Sequence, residues 1–316
     1  MTETECKVAF VGAGNMAKEH VRAFRDVPGV RLVGIYSRTR PKAEVLAKEF
    51  SITGVYNSLS ELCEKTQPDI VVLAVSETSM KSVTLECLNY PCTILMEKPP
   101  GLTLDECQEI ETAVKKTGRK VLVGLNRRFL SSTRAACKDL MSINQSRFIH
   151  VQDQQSLTVA KSLGHSDAVI KNWMYANSIH LIDYLRFFGR GEITSIVPII
   201  PWDPDTSQIV MAEIKFGSGD IGIYEGIWRG PGPWAVSVTT PVKRWELRPL
   251  EHAVYQNIGE RELHPVDIHL WDLQFKPGFR LQAEMAVAAV QDKKSDSPTL
   301  HEALDTMKII HGIFEQ

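Results

Sequence analysis

The chain has 316 residues, enough for about two domains, with 43% hydrophobic and 23% charged residues and a formal net charge of -2. That balance gives no global reason to bind nucleic acid or an anionic membrane, and no apolar run approaches the length of a bilayer span. Six cysteines, at 6, 63, 87, 92, 107 and 137, include no C-x-x-C pair, so a reduced, cytoplasmic chain without disulfides or a zinc site is expected. Residues 1–6 are short, acidic and run straight into a strand-like stretch, a pattern that argues against a secretory leader.

Up to about residue 125 the pattern alternates. Apolar strand-like runs at 7–12, 31–36, 69–75, 93–96 and 121–125 are separated by helix-like stretches at 16–25, 41–50, 59–64, 79–88 and 104–115. This alternation predicts an α/β domain with a doubly wound parallel sheet, a Rossmann fold, over residues 1–125. Nearly all-apolar strands such as "DIVVLAV" fit a sheet covered on both faces.

The first turn reads "GAGNMA", Gly12 to Ala17. A plain tight turn uses glycine too, but strand before and helix after favour a pyrophosphate cradle. Gly12 makes the turn, Gly14 lets a diphosphate approach the backbone, and Ala17 lets the helix pack close to the strand. The helix start at Asn15 and Met16 then offers amides and a partial positive charge to the anion.

The second strand ends in Ser37, followed by Arg38, Thr39 and Arg40, with no carboxylate. An acidic residue here commonly holds the adenine ribose hydroxyls, and it would repel a 2′-phosphate. Ser37, Arg38 and Arg40 could instead bind that phosphate by charge-assisted hydrogen bonds. NADP is therefore expected, with NAD as the alternative and ordinary surface charge as the competing account of the arginines.

The fifth strand-like run ends in "MEKPPG", Met96 to Gly101. Ligands of open α/β sheets gather at the carboxyl ends of strands. Lys98, before two prolines, cannot start a helix and is expected to be extended there.

From residue 126 to 316 strand-like segments dominate, at 148–154, 193–200, 209–216, 219–228, 235–240 and 243–247, and "FGSGD" at 216–220 reads as a hairpin turn. Helix-like stretches at 177–188, 279–291 and 300–314 flank them. A C-terminal α+β domain with a large, mostly antiparallel open sheet follows, and the last helix is a candidate to return to the first domain. An open sheet of this size needs its outer face covered, so a homo-oligomer, dimer or tetramer, is expected through it.

In chain order, "VGAGNMA", "LAVSETSM", "EKPPG", "GLNRRF" (124–129) and "NSIHLIDYLRFFG" (177–189) resemble the glucose-fructose oxidoreductase, inositol dehydrogenase and rhizopine-catabolism (Gfo/Idh/MocA) family over nearly the whole chain. The resemblance implies a two-domain oxidoreductase with the nicotinamide near Lys98. It makes Lys98 the residue that binds the reacting hydroxyl or carbonyl and assists proton transfer. Crowding against cationic nicotinamide should depress the lysine pKa. Glu97 would hold the cofactor side, Val75 and Ser76 would line it, and Asn126 would lie near nicotinamide or substrate. His180 matches the family histidine, and Arg128 matches a basic position expected to meet substrate.

By helical spacing Asn177, His180 and Tyr184 share one face. The family aspartate four residues before the histidine is Ala176 here, and "IKNWMYA" (170–176) replaces a glycine-rich run. Trp173 and Tyr175 offer either a sugar-stacking wall or plain packing. Phe279 stands where the family often has a tyrosine.

These residues predict an NADP-dependent dehydrogenase or reductase acting on a secondary alcohol or ketone of a sugar, sugar nucleotide or cyclitol. One alternative is a non-catalytic NADP-binding regulator of the same fold. Another is a reductase of a dihydrodiol, tetrapyrrole or imine. No metal site is expected, because His150, His165 and His180 lack ligand spacing on one element.

Overall fold

The computed structural model describes residues 5–315. The first four residues, on which part of the leader expectation rests, and residue 316 lie outside the described residues. The chain forms two compact units. One runs up to Asn126 and adds Leu273–Leu304; the other comprises Arg127–Asp272 and the stretch from Asp305.

The first unit carries β1 (Cys6–Val11), α1 (Asn15–Arg25), β2 (Val30–Tyr36), α2 (Arg40–Phe50), β3 (Val55–Tyr56), α3 (Leu59–Thr66), β4 (Ile70–Leu73), α4 (Glu77–Cys87), β5 (Thr93–Glu97), α5 (Leu104–Thr117) and β6 (Val121–Gly124). The strands form one parallel sheet in the order β3-β2-β1-β4-β5-β6. Helices cover both faces, which is why β4 and β6 are buried along their whole length. The order reverses between β1 and β4, so the crevice that such sheets use for ligands opens at the carboxyl ends of these two strands.

The second unit carries α6 (Ser131–Leu140), β7 (Phe148–Gln154), α7 (Leu157–Ser162), α8 (Asp167–Lys171), a π-helical turn (Met174–Ser178), α9 (Ile179–Phe188) and strands β8 (Ile193–Ile200), β9 (Ile209–Phe216), β10 (Ile221–Ile227), β11 (Trp234–Thr239), β12 (Lys243–Leu247), β13 (Ala253–Asn257) and β14 (His264–Val266). They form an eight-stranded sheet in the order β14-β13-β12-β11-β7-β10-β9-β8. Its pairs are antiparallel except β7 with β10. The β9–β10 hairpin turns at residues 217–220, as its two glycines predict. Strands β7, β9 and β10 alternate buried and exposed positions, and α9 packs on the buried side of β7.

The chain rejoins the first unit before its last helix begins. After α10 (Leu270–Gln274), α11 (Phe279–Val290) packs against α1 within the first unit. Phe279, Ala283, Ala286 and Val287 join its core beside Phe24 and Val21. Of α12 (Leu300–Phe314), the first residues count with the first unit and those from Asp305 with the second. The small side chains of α11 allow that close packing, a feature hidden from periodicity alone. No helix among the described residues is long and apolar enough to cross a membrane.

Candidate active site

In the first unit, β1 leads into Gly12, whose φ of +110° suits glycine. A Cβ there would overlap the Ala74 carbonyl oxygen just past β4. Gly12 thus permits the close approach of β1 and β4 as well as the turn. Gly14 caps α1, and a Cβ placed on it would meet nothing within 4 Å. The helix has no side-chain cap and no acidic residue in its first turn. Its leading amides therefore face an open approach, and no acidic side chain in the first turn competes for them. Ala17 is fully buried against the sheet. These features fit a dinucleotide pyrophosphate.

At the end of β2, the Ser37 hydroxyl accepts the Thr39 amide at 3.2 Å. Arg40 donates to Glu44 at 2.8 Å and to Asn57 at 2.5 Å. Arg38 is exposed and makes no hydrogen bond or ion pair among the described residues. After β4, Val75 is half-buried, and the exposed Ser76 hydroxyl donates to Ser79 Oγ at 2.9 Å.

At the end of β5, Glu97 is buried and paired in register with Gly124 on β6. His20 Nε2 lies 2.6 Å from Glu97 Oε1, and the imidazole packs on the Phe279 ring at 4.8 Å. A Cβ on Gly124 would stand 3.3 Å from that same Oε1, so glycine leaves room for the carboxyl group. Lys98 follows, half-buried, with a cis bond to Pro99. Asn126 is buried and donates through Nδ2 to the Pro277 carbonyl at 3.0 Å.

In the second unit, the carboxylate of Asp153 is sealed from solvent at the end of β7. Tyr224 on β10 donates its hydroxyl to Asp153 Oδ2 at 2.9 Å, and Gln155 Nε2 donates to Oδ1 at 2.5 Å. Gly226, the register partner of Asp153, leaves space for the Tyr224 hydroxyl, which a Cβ would approach to 2.7 Å. Gln155 Oε1 accepts two bonds of 2.8 Å, from Trp173 Nε1 and from Asn177 Nδ2. Burial pushes the Asp153 carboxyl up to about 6, against the pull of Ser178, Gln155 and Tyr224.

His180 stands in the first turn of α9, half-buried, its ring 6.1 Å from that of Trp234. Further along α9, Asp183 takes two hydrogen bonds of 2.7 Å from Arg128 and one of 2.8 Å from Thr306. The Arg128 guanidinium lies over the Phe187 ring at 5.3 Å.

A family model described as an oxidoreductase family with an NAD-binding Rossmann fold matches residues 6–125. That match to the Gfo/Idh/MocA model spans strands β1 to β6 of the first unit. It is 25% identical over 241 residues to scyllo-inositol 2-dehydrogenase (NAD(+)) of Bacillus subtilis (strain 168), covering 72% of this chain and 69% of that protein. It is 19% identical to 4-carboxy-2-hydroxymuconate-6-semialdehyde dehydrogenase of Sphingobium sp. (strain NBRC 103272 / SYK-6), covering 96% of both. A dehydrogenase structure from Chromobacterium violaceum superposes with a TM-score of 0.84 at 18% identity, over 99% of this chain and 95% of that one.

The first unit gathers Gly12, Gly14, Asn15, Met16, Val75 and Ser76 around the β1/β4 crevice, with Ser37, Arg38 and Arg40 at the end of β2 and Glu97 and Lys98 at the end of β5. Three expectations bear on the second unit. Arg128 is buried in a two-pronged ion pair with Asp183, which makes it a brace between the start of this unit and α9 rather than an exposed substrate anchor.

Tyr175 is fully buried and Trp173 gives its indole N–H to Gln155, so packing and hydrogen bonding account for both. The shared face of Asn177, His180 and Tyr184 does not hold either. The π-turn ends between Asn177 and His180 and interrupts their spacing, and Tyr184, one turn beyond His180 on α9, is buried with its hydroxyl 2.8 Å from Thr133 Oγ1.

Sequence reasoning missed His20, Asp153 and Gln155. The 17/20/21/24 spacing does put His20 on the core face of α1. No comparable local pattern marks Asp153, whose partners come from β10 and from the segment just after it.

Proposed function

We propose that the protein is an NADP-dependent oxidoreductase exchanging hydride between the nicotinamide ring and a secondary alcohol or ketone of a sugar, sugar nucleotide or cyclitol. The observation that carries this is the half-buried Lys98 at the carboxyl end of β5, in the same parallel sheet whose β1 ends in the glycine cradle. The cyclitol activity in the name of the Bacillus subtilis relative supports the substrate class. The Sphingobium relative adds a semialdehyde as a second substrate type.

The bound cofactor supplies the hydride acceptor or donor. The amides that open α1 bind its pyrophosphate, with Gly14 leaving the approach clear. Arg38, which has no competing partner, binds a 2′-phosphate together with Ser37, and Arg40 adds positive charge. Lys98 Nζ donates a hydrogen bond to the substrate oxygen and stabilises negative charge developing there as an alcohol loses its proton. His180 takes that proton in oxidation and returns it in reduction. Glu97, held by His20, fixes the strand end from which Lys98 projects.

A second copy of the chain covers the outer face of the large sheet, where Phe148, Val197, Ile199, Ile209 and Ile221 are exposed.

The test is fluorescence titration with NADPH and NADH, then absorbance assays with myo-inositol, scyllo-inositol, glucose 6-phosphate and a UDP-hexose. Tighter binding of NADPH and turnover of at least one polyol are expected. Failure to bind either reduced cofactor overturns the proposal.

A further inference from the structure

We infer that Asp153 and Gln155 are positioning residues for His180: the buried carboxylate fixes the Gln155 amide, and that amide clamps the π-helical turn leading into α9. The inference rests on the role proposed for His180.

The chemistry of the donors leaves the Gln155 amide one orientation. An indole N–H only donates, so the atom 2.8 Å from Trp173 Nε1 must be the amide oxygen. The same oxygen takes the Asn177 Nδ2 bond. The amide nitrogen then points at Asp153 Oδ1, 2.5 Å away. A flipped amide would set its NH2 against two donors and its oxygen against a carboxylate. Asp153 enforces the choice, and Tyr224 on β10 holds Asp153 from the other side. A continuous polar chain thus runs from β10 through β7 to the π-turn, and its members on β7 and β10 are buried.

The clamp bears on His180 through helix geometry. Trp173 immediately precedes the π-turn Met174–Ser178, and Asn177, four residues on, lies within it. A π-turn holds one more residue than an α-turn and is rarely stable unaided. If it relaxed to α-geometry, residues on one side would rotate by about 100° relative to the other. His180 lies three residues beyond Asn177, so the clamped register sets where its imidazole points. Ala176, inside the turn, has no polar side chain with which to share that task.

The test compares wild-type protein with Gln155→Leu, Gln155→Glu and the double variant Asp153→Asn/Gln155→Glu, with Trp173→Phe as a milder variant that keeps the ring bulk. Hydrogen exchange is followed by mass spectrometry with NADPH bound, and steady-state rates are measured on the polyol the wild type turns over. In Gln155→Leu, exchange over residues 173–181 should rise about tenfold while α1 peptides stay unchanged. Its kcat should fall about tenfold with the KM for NADPH held within about twofold. Gln155→Glu faces two buried carboxylates and should behave as badly. The double variant moves the charge one link along the same chain and should restore both readouts. Unchanged exchange and kcat in Gln155→Leu and Trp173→Phe, or a double variant no better than Gln155→Glu, overturns the inference. If wild-type protein turns over no polyol, the proposed function fails separately, and the exchange measurements alone decide the clamp.

Discussion

His20 and Glu97 join the second turn of α1 to the end of β5 by a 2.6 Å hydrogen bond, with both side chains nearly sealed from solvent. The helix proposed to offer its amides to a pyrophosphate is thereby tied to the strand that precedes Lys98. His20→Leu leaves the Glu97 carboxyl group buried without this partner and is expected to cost about 1–3 kcal/mol. Urea unfolding with NADPH absent measures it. A midpoint equal to wild type would show that the pair holds nothing together.

Arg128 and Asp183 make the corresponding brace in the second unit. Removing one partner strands a buried charge, so Arg128→Met should destabilise by about 3–5 kcal/mol. Arg128→Met/Asp183→Leu should recover most of that loss, because neither charge then remains unpaired. Arg128→Lys should not rescue, since one ammonium cannot reproduce the two-pronged geometry. Denaturant melts of the four proteins test this. A double variant as unstable as the single one contradicts it.

Asp153 gives a pH dependence whose sign follows from burial. Its carboxyl is pushed up to about 6 in the folded chain, so the folded state holds this proton more tightly than the unfolded state does. The group's favourable contribution is present below about pH 4 and is lost as pH rises through about 6. Asp153→Asn removes the titration. The stability difference between wild type and Asp153→Asn should therefore shift by roughly 2 kcal/mol between pH 4 and 7, to the disadvantage of wild type at the higher pH. A difference that does not vary with pH refutes the assignment.

Cofactor choice is expected to depend on Arg38. Arg38→Ala removes a charge-assisted contact to a 2′-phosphate and should weaken NADPH binding by about tenfold or more, leaving NADH unaffected. Equal losses for both cofactors would assign Arg38 to the fold or to general electrostatics.

The first unit was largely legible from sequence because its signals are local. Alternating apolar runs mark the strands, and "GAGNMA" sits between β1 and α1 where the turn needs glycine. Two-residue β3 is too short to carry a pattern, and α11 gives no local sign that it packs on α1. The second unit was legible as a sheet but less so as a site. Nothing local to Asp183 points to its partners Arg128 and Thr306, which are 55 and 123 residues away in sequence. The π-turn broke the helical spacing used to place Asn177 beside His180. A lone Asp153 between glutamines looks like a surface residue until the parallel pairing of β7 with β10 brings Tyr224 to it.

The role of Lys98 is tested most directly by Lys98→Met, which keeps most of the side-chain bulk and removes the ammonium group. NADPH titration and turnover of the active polyol should be measured on the same preparation. NADPH binding within about threefold of wild type, with kcat reduced by about a thousandfold or more, is the expected result. Near-normal turnover in Lys98→Met would contradict it.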